Sequence, residues 1–424
     1  MSDQVVTNMR DPIQKYSKAF ATDEDLQLAR TLREYVDDKI MPRRYDLDGG
    51  FHRDQELANR TIEEVGKGLV DLGVARAFLP EECGGLGMTS QITFGIMMEE
   101  LGRGDMGIAT HYSIIPWALT PAMLTNNKAI LKRFGTLYCD DKFRSGCFAM
   151  TEPAGGCNIE DPSQHGHTIK TKAELKGDEW IINGEKLWPG GIGISEFYST
   201  VCTTDPDKGD DGIVIIDVPH GTPGLSFGKP EEKMGMIFTE VNGSIYYDDV
   251  RVPKEYTSGA PGGEGAKVLR NMLCCRFTDG AMVVGGAQAC LEIVEDYLKD
   301  RYIMGKAVRE RSLHAALIGE MAAKLQAARS YYLNVGYMFD HPEIYGDWIS
   351  PQQIARSSAS KWISTSVGEW VIRECMGLTG SYGYTNKFFV EKYLRDAIIV
   401  RIWMGGAHMA ILEAARGEYP FNPW

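Results

Sequence analysis

A chain of 424 residues, 43% hydrophobic and 24% charged, has the balance of a globular protein large enough for two or three domains. Lys and Arg total 45 against 58 Asp and Glu, a formal charge of -13, which argues against a nucleic-acid phosphate surface but leaves room for a small phosphate-bearing ligand. The N-terminal stretch MSDQVVTNMRDPIQK lacks the apolar core of a signal peptide, and no apolar run approaches the roughly 18 residues of a membrane span, so a cytoplasmic location is expected. The nine cysteines are scattered, with no C-x-x-C pair, which suits reduced thiols packed as small hydrophobes.

Taken in chain order, the first region, residues 1–144, reads as helices. Thr22 with Asp25 resembles a capping box, and Leu28, Leu32, Val36 and Ile40 repeat at helical spacing until Pro42. Ile92 to Leu101 and Ile130 to Phe134 are again apolar at helical spacing. The second region, 145–262, reads as strands. Thr168 to Leu175 alternates, Lys176-Gly177-Asp178 supplies a turn, and Asn183-Gly184 after Trp180-Ile181-Ile182 reads as a hairpin signal. Ile213 to Ile216 and Ser244 to Tyr247 are further strands, punctuated by Gly and Pro as in a sandwich or barrel. The third region, 263–424, returns to helix, with one stripe at Ala287, Cys290, Leu291, Val294 and Leu298 and another at Leu317, Met321, Leu325 and Ala328. An up-down bundle is expected there.

The short motifs of nucleotide and metal chemistry carry no argument. G-x-x-x-x-G-K-[ST] and H-E-x-x-H do not occur; a G-x-G-x-x-G match at 102–107 falls in the helical first region and a G-x-S-x-G match at 224–228 in the strand region, without the strand-to-helix turn either motif needs. His165 and His167 read as a solvated pair in a polar loop. Longer segments are more informative. FLPEECGGLGM at 78–88, FAMTEPAGGCN at 148–158 and NGEKLW at 183–188 resemble acyl-CoA dehydrogenases. So do YYDDVRVPKE at 246–255, DRYIMGK at 300–306 and GSYGYTNKFFVEKYLRDA at 380–397, in the family's order and spacing. The resemblance implies a mainly α fold with a β middle domain: a helical N-terminal domain, a β-barrel-like middle domain and a C-terminal four-helix bundle. It implies FAD as cofactor, an acyl-CoA substrate, an electron-transfer flavoprotein as acceptor, and a homotetramer.

The resemblance also implies roles for particular residues. Phe148, Met150 and Thr151 would lie along the flavin, with Thr151 bonding the ring edge where charge collects on reduction. Trp188 would pack on the flavin face, with Gly190 beside it. Arg301 would reach the FAD pyrophosphate across a subunit boundary, a role suited to a guanidinium fork, with Met304 and Ser312 in the same cofactor set. Gly377, Gly380 and Ser381 would meet the adenosine part from a neighbouring subunit. Gly406 and His408 complete the cofactor residues, and Cys157, Asn158, Trp403 and Met404 line the substrate.

Departures from the family pattern bear on mechanism. The family's C-terminal glutamate base is replaced by Met404, whose thioether cannot accept a proton. Isovaleryl- and long-chain-type members carry their glutamate instead on the helix that opens the bundle, and Asp279 falls at that place. Asp279 is therefore expected to be the base, its pKa raised by desolvation. Gly190 and Gly406 stand where the family has threonines, Gly280 where it has an arginine, His408 where it has a glutamine, and Cys157-Asn158 where it has Ser-Asp. These glycines would make room beside Trp403 for a bulky, branched or cyclic acyl group. Ala109 stands where glutaryl-CoA dehydrogenases carry an arginine, which disfavours a dicarboxylic substrate unless Arg276 or Arg401 takes over. The leading expectation is α,β-dehydrogenation of an acyl-CoA. Altered chemistry on the same thioester (1,4-dehydrogenation, desulfination, oxygen insertion) and a cofactor-free binding protein are the alternatives.

Overall fold

A computed structural model describes residues 10–155 and 166–420. The N-terminal region holds α1 (Asp23–Tyr35), α2 (Gln55–Asp71), α3 (Gln91–Gly104) and α4 (Met106–Leu124). Thr22 and Asp25 form the reciprocal cap at the start of α1, each side chain accepting from the other's backbone N–H. The stripe expected to run on to Ile40 does so only by rewinding. Val36–Ile40 is a π turn and Met41–Arg43 a 3-10 turn, because Pro42 cannot supply the donor that a continuing helix needs.

Every residue of α3 is buried, including Glu99 and Glu100. Burying two carboxylates is tolerable only with partners. Glu100 accepts from Tyr16 Oη at 2.7 Å and from Arg33 Nε and Nη2 at 2.7 and 2.6 Å. Glu99 accepts from Arg329 Nη2 at 2.7 Å and Tyr332 Oη at 2.5 Å. Arg329 and Tyr332 belong to the C-terminal region, so α3 ties the two helical parts together.

The middle region is one sheet. Its strands are β1 (Phe148–Ala149), β2 (Lys172–Lys176), β3 (Glu179–Leu187), β4 (Phe197–Thr203), β5 (Ile213–Pro219), β6 (Leu225–Phe227), β7 (Ser244–Pro253) and β8 (Thr257–Gly259). They run in the order β6-β7-β3-β2-β4-β5-β8, with β1 parallel to β4. The barrel-like expectation is met by an open path, with β6 and β8 at its edges. The β2–β3 hairpin turns at Gly177, where φ is +63°. Asn183-Gly184 is not a turn as expected. β3 runs through it with a shift of register against β7, and Gly184 takes φ +145° where a Cβ would sit 2.6 Å from Thr171 Cα.

The C-terminal region comprises α5 (Arg276–Asp300), α6 (Ser312–Asp340), α7 (Pro351–Thr379), α8 (Val390–Ile402) and α9 (Gly406–Glu418). The α5 stripe is buried throughout, and so is the α6 stripe except at half-buried Leu317. α5 and α7 approach closely through small residues: a Cβ on Gly280 would lie 2.7 Å from Ser364 Cβ. Among the described residues no single helix is long and apolar enough to cross a membrane.

Candidate active site

Two of the motif segments, 148–158 and 183–188, are cross-braced. Lys186, wholly buried in β3, donates to Glu152 Oε1 at 2.7 Å and to the Met150 carbonyl at 3.0 Å. Leu187 N donates to the Thr151 carbonyl at 2.8 Å. Glu152 also accepts from the backbone N–H groups of Lys170 and Thr171. Burial pushes its carboxyl up, but Lys186 first and the two backbone donors next hold it below the usual range. Thr151, just beyond β1, and Trp188, just beyond β3, are thereby held side by side. Sequence reading passed over Glu152 and Lys186, although an acid and a base inside two matching motifs are the signal of such a brace.

Trp188 has φ +69°, a left-handed backbone costly for a bulky residue, and its indole stays half exposed. Its backbone N–H donates to Gly243 O at 3.0 Å, and its backbone carbonyl accepts from Asn242 Nδ2 at 2.9 Å. The backbone pinned in this way holds the indole half out of the core. Beyond Pro189, a Cβ on Gly190 would collide with Glu240 Oε2.

Asp279 lies in the first turn of α5 and is buried, 8% exposed. Trp403 Nε1 donates to its Oδ2 at 2.8 Å, and Lys361 Nζ lies 3.3 Å from the same oxygen. Among the described residues no donor reaches Oδ1. Burial pushes the Asp279 pKa up, while Lys361 and the Trp403 bond pull the other way. Lys361 also donates to the Trp403 carbonyl. Buried Arg276 donates to the Met404 carbonyl at 2.7 Å and to Ser358 Oγ at 3.0 Å. The loop 403–406 is thus clamped from α5 and α7 while Met404, Gly405 and Gly406 all take positive φ, at +53°, +87° and +70°. Sequence reading named Asp279, Trp403 and Met404, and the fold brings them together. It missed Lys361, a lone lysine among the small residues of ARSSASKWIST.

The two parts meet on α4. Thr110 Oγ1 lies 3.4 Å from Met282 Sδ, one turn beyond Asp279, and 3.8 Å from Met236 Sδ in the segment leading to Glu240.

Three expectations change, at Gly280, Gly190 and Arg401. Gly280 opens no substrate space, because α7 fills it at Ser364. At Gly190 the space is taken by Glu240. Gly406 is a left-handed turn residue, for which glycine is the low-strain choice. Arg401 does not await a dicarboxylate either, since it pairs with Glu369 at 2.6 Å. Arg301, Met304, Ser312, Gly377, Gly380, Ser381 and His408 are all exposed, as are Tyr302, Leu313 and Tyr384, with Met304 at 93%. His167 is a satisfied loop residue, bonded to Pro206 O at 2.8 Å. Cys157, Asn158 and His165 lie outside the described residues.

The described residues fit a flavin. The Trp188 indole presents an aromatic surface. Trp117 Nε1, buried without a partner among the described residues, belongs to a ring 5.3 Å from Phe148, and Glu240 Oε2 lies where a Gly190 side chain would be. An unsatisfied buried donor of this kind is what a polar ring edge would satisfy.

The chain matches models of the acyl-CoA dehydrogenase N-terminal domain over residues 22–133, the middle domain over 147–250 and the C-terminal domain over 263–418. It therefore belongs to the acyl-CoA dehydrogenase family. It is an oxidoreductase acting on acyl-CoA thioesters. A cyclohexane-1-carbonyl-CoA dehydrogenase of Syntrophus aciditrophicus is 28% identical over 394 residues, 93% of this chain and 96% of its own length. A cyclohex-1-ene-1-carbonyl-CoA dehydrogenase of Geobacter metallireducens is 26% identical over 384 residues, 91% of this chain and 95% of its own. The butyryl-CoA dehydrogenase structure from Megasphaera elsdenii shares the fold, with a TM-score of 0.80, 24% identity, and coverage of 93% of this chain and 98% of that one.

Proposed function

We propose that the chain binds FAD against Phe148, Met150, Thr151, Trp188 and Gly190 and dehydrogenates a branched or cyclic acyl-CoA, with Asp279 as the base. FAD, when bound, supplies the hydride acceptor. Asp279 takes the α-proton, Trp403 and Lys361 orient its carboxyl, and the apolar surroundings keep water from competing for the proton. One observation carries the assignment: both donors converge on Oδ2, and among the described residues none reaches Oδ1, as a proton acceptor requires. Met404 lines the acyl site. The cyclic preference rests on the substrates in the names of the two relatives from Syntrophus aciditrophicus and Geobacter metallireducens.

Electrons would pass to an electron-transfer flavoprotein. The exposed band at Arg301, Met304, Ser312, Gly377, Gly380 and Ser381 would close against other subunits of a cytoplasmic homotetramer, each Arg301 reaching a neighbour's cofactor. The exposed apolar side chains of Tyr302, Ile303, Met304 and Leu313 suit such an interface.

Anaerobic bleaching of the bound flavin by straight, branched and cyclic acyl-CoAs tests the reaction. Bleaching by cyclohexane-carbonyl-CoA supports it, and an unbleached flavin across the whole panel refutes dehydrogenation. In the same assay Asp279→Asn should slow reduction about 10²–10⁴-fold while retaining FAD. An unchanged rate removes Asp279 from the mechanism. The name of the Geobacter metallireducens relative favours a second reading, 1,4-dehydrogenation of a cyclic enoyl-CoA. It would show as bleaching by a cyclohexene-carbonyl-CoA alone.

A further inference from the structure

Glu240 is the buried carboxyl that the Asp279 scheme does not use. It stands in the segment between β6 and β7 and is 6% exposed. Among the described residues nothing donates to either of its carboxylate oxygens. Its natural counter-ion is spent elsewhere: Lys233 Nζ donates to the Glu240 backbone carbonyl and to Asn242 Oδ1, and makes no ion pair with the carboxylate. The charged and titratable groups around it are few. Lys233 comes from its own segment, with Asp396 and Asp48 reaching no further than Lys233. Cys147 faces it from the strand side, its thiol held protonated by burial. Ile114 of α4 closes the other wall, 3.1 Å from where a Gly190 Cβ would be.

A buried carboxyl without a partner is costly to keep, so it calls for a ligand or a proton. The position it fills is informative. Oε2 occupies the space that any side chain at residue 190 would need, two residues beyond the half-exposed Trp188. Glycine at 190 and glutamate at 240 are therefore complementary, and the missing side chain is replaced by a carboxyl arriving from another segment. We propose that Glu240 is a cofactor contact, presenting its carboxyl to the flavin edge beside Gly190 and setting the electron affinity of the bound flavin through its own proton. The proposal rests on the flavin reading above.

The chemistry follows from the two forms of the group. A protonated carboxyl donates one hydrogen bond, which suits an acceptor nitrogen or oxygen on an electron-poor ring. A carboxylate can only accept, and its charge opposes electrons arriving nearby. Burial pushes Glu240 up to about 7, with Lys233 pulling back, so both forms are within reach near neutrality. No bond to Glu240 forms or breaks during hydride transfer. Where reduction raises its proton affinity, Glu240 takes one proton from solvent.

The test uses the FAD-loaded protein without substrate. The visible band of wild type should shift in a single step between about pH 6 and pH 8, and its midpoint potential should fall more steeply with pH across that window. Glu240→Gln, isosteric and unable to ionise, should abolish both effects and hold a higher potential than wild type at pH 8. A wild-type band flat with pH, or a Glu240→Gln protein titrating as wild type does, overturns the assignment. Wild type alone provides a second measurement in case the variant does not fold. Light-driven reduction at pH 6 should displace the infrared stretch of a protonated carboxyl, and a difference spectrum without that band also overturns the assignment. Protein that retains no FAD overturns the flavin reading and this proposal with it, whereas retained FAD with a flat titration overturns Glu240 alone.

Discussion

The indole N–H of Trp403, at the start of the loop between α8 and α9, donates at 2.8 Å to Asp279 Oδ2 in the first turn of α5. Residues 124 positions apart are joined by one charge-assisted bond, and with it the loop 403–406 is fixed to the proposed base. Because the bond favours the ionised carboxyl, removing it should raise the Asp279 pKa further. Trp403→Phe should therefore move the acidic limb of the kcat/KM profile to higher pH. Lys361→Met should move it further, since Lys361 is the larger of the two pulls. An unmoved limb in both variants would detach these residues from the base.

Arg329 and Glu99 form a buried ion pair at 2.7 Å between α6 and α3. Arg329→Met strands the Glu99 carboxylate with Tyr332 alone, at a cost of about 3–5 kcal/mol in denaturant unfolding. Adding Glu99→Gln should recover part of that loss, because the uncompensated charge causes most of it. If the double variant is no more stable than the single, the cost is lost packing.

Gly280 admits α7 to contact with α5. Gly280→Ala drives a methyl to 2.7 Å from Ser364 Cβ and should destabilise by about 1–3 kcal/mol. Pairing it with Ser364→Gly should relieve the strain. Measured melting of the single and double variants decides whether the glycine serves packing; greater acyl-CoA turnover by wild type without a stability difference would return it to the substrate site.

Asp217 is buried in β5, with Ser258 Oγ donating to it, and burial raises its pKa to about 7. The folded state thus holds a proton that the unfolded chain releases near pH 4. The group is neutral in both states below about pH 4, and its cost to stability grows as pH rises from there to about 7 and stays above it. Asp217→Asn keeps an acceptor for Ser258 without that charge. At pH 8 the variant should be the more stable by on the order of a few kcal/mol, and at pH 4 the two should unfold alike. Parallel pH curves would mean that Asp217 does not titrate between those limits.

Periodicity and punctuation were enough for the order of the three regions, the Thr22–Asp25 cap and the stripes of α5 and α6, because each depends on residues within a few turns of one another. Asn183-Gly184 misled for the same local reason. A glycine with positive φ serves a turn or a bulge equally well, and pairing with β7 selected the bulge. The mechanistic residues divide along this line. Asp279 and Trp403 could be named from their places in matching segments.

What the chain order left open was which side chains share a space. Local sequence determines a residue's backbone preference, but Lys361 reaches Asp279 only because small residues let α7 approach α5. Glu240 meets Gly190 only because β3 and the segment before β7 are folded side by side. The identity of the family was written in linear motifs. Charge compensation, steric complementarity and burial are properties of pairs distant in sequence, and the tertiary structure alone decided them.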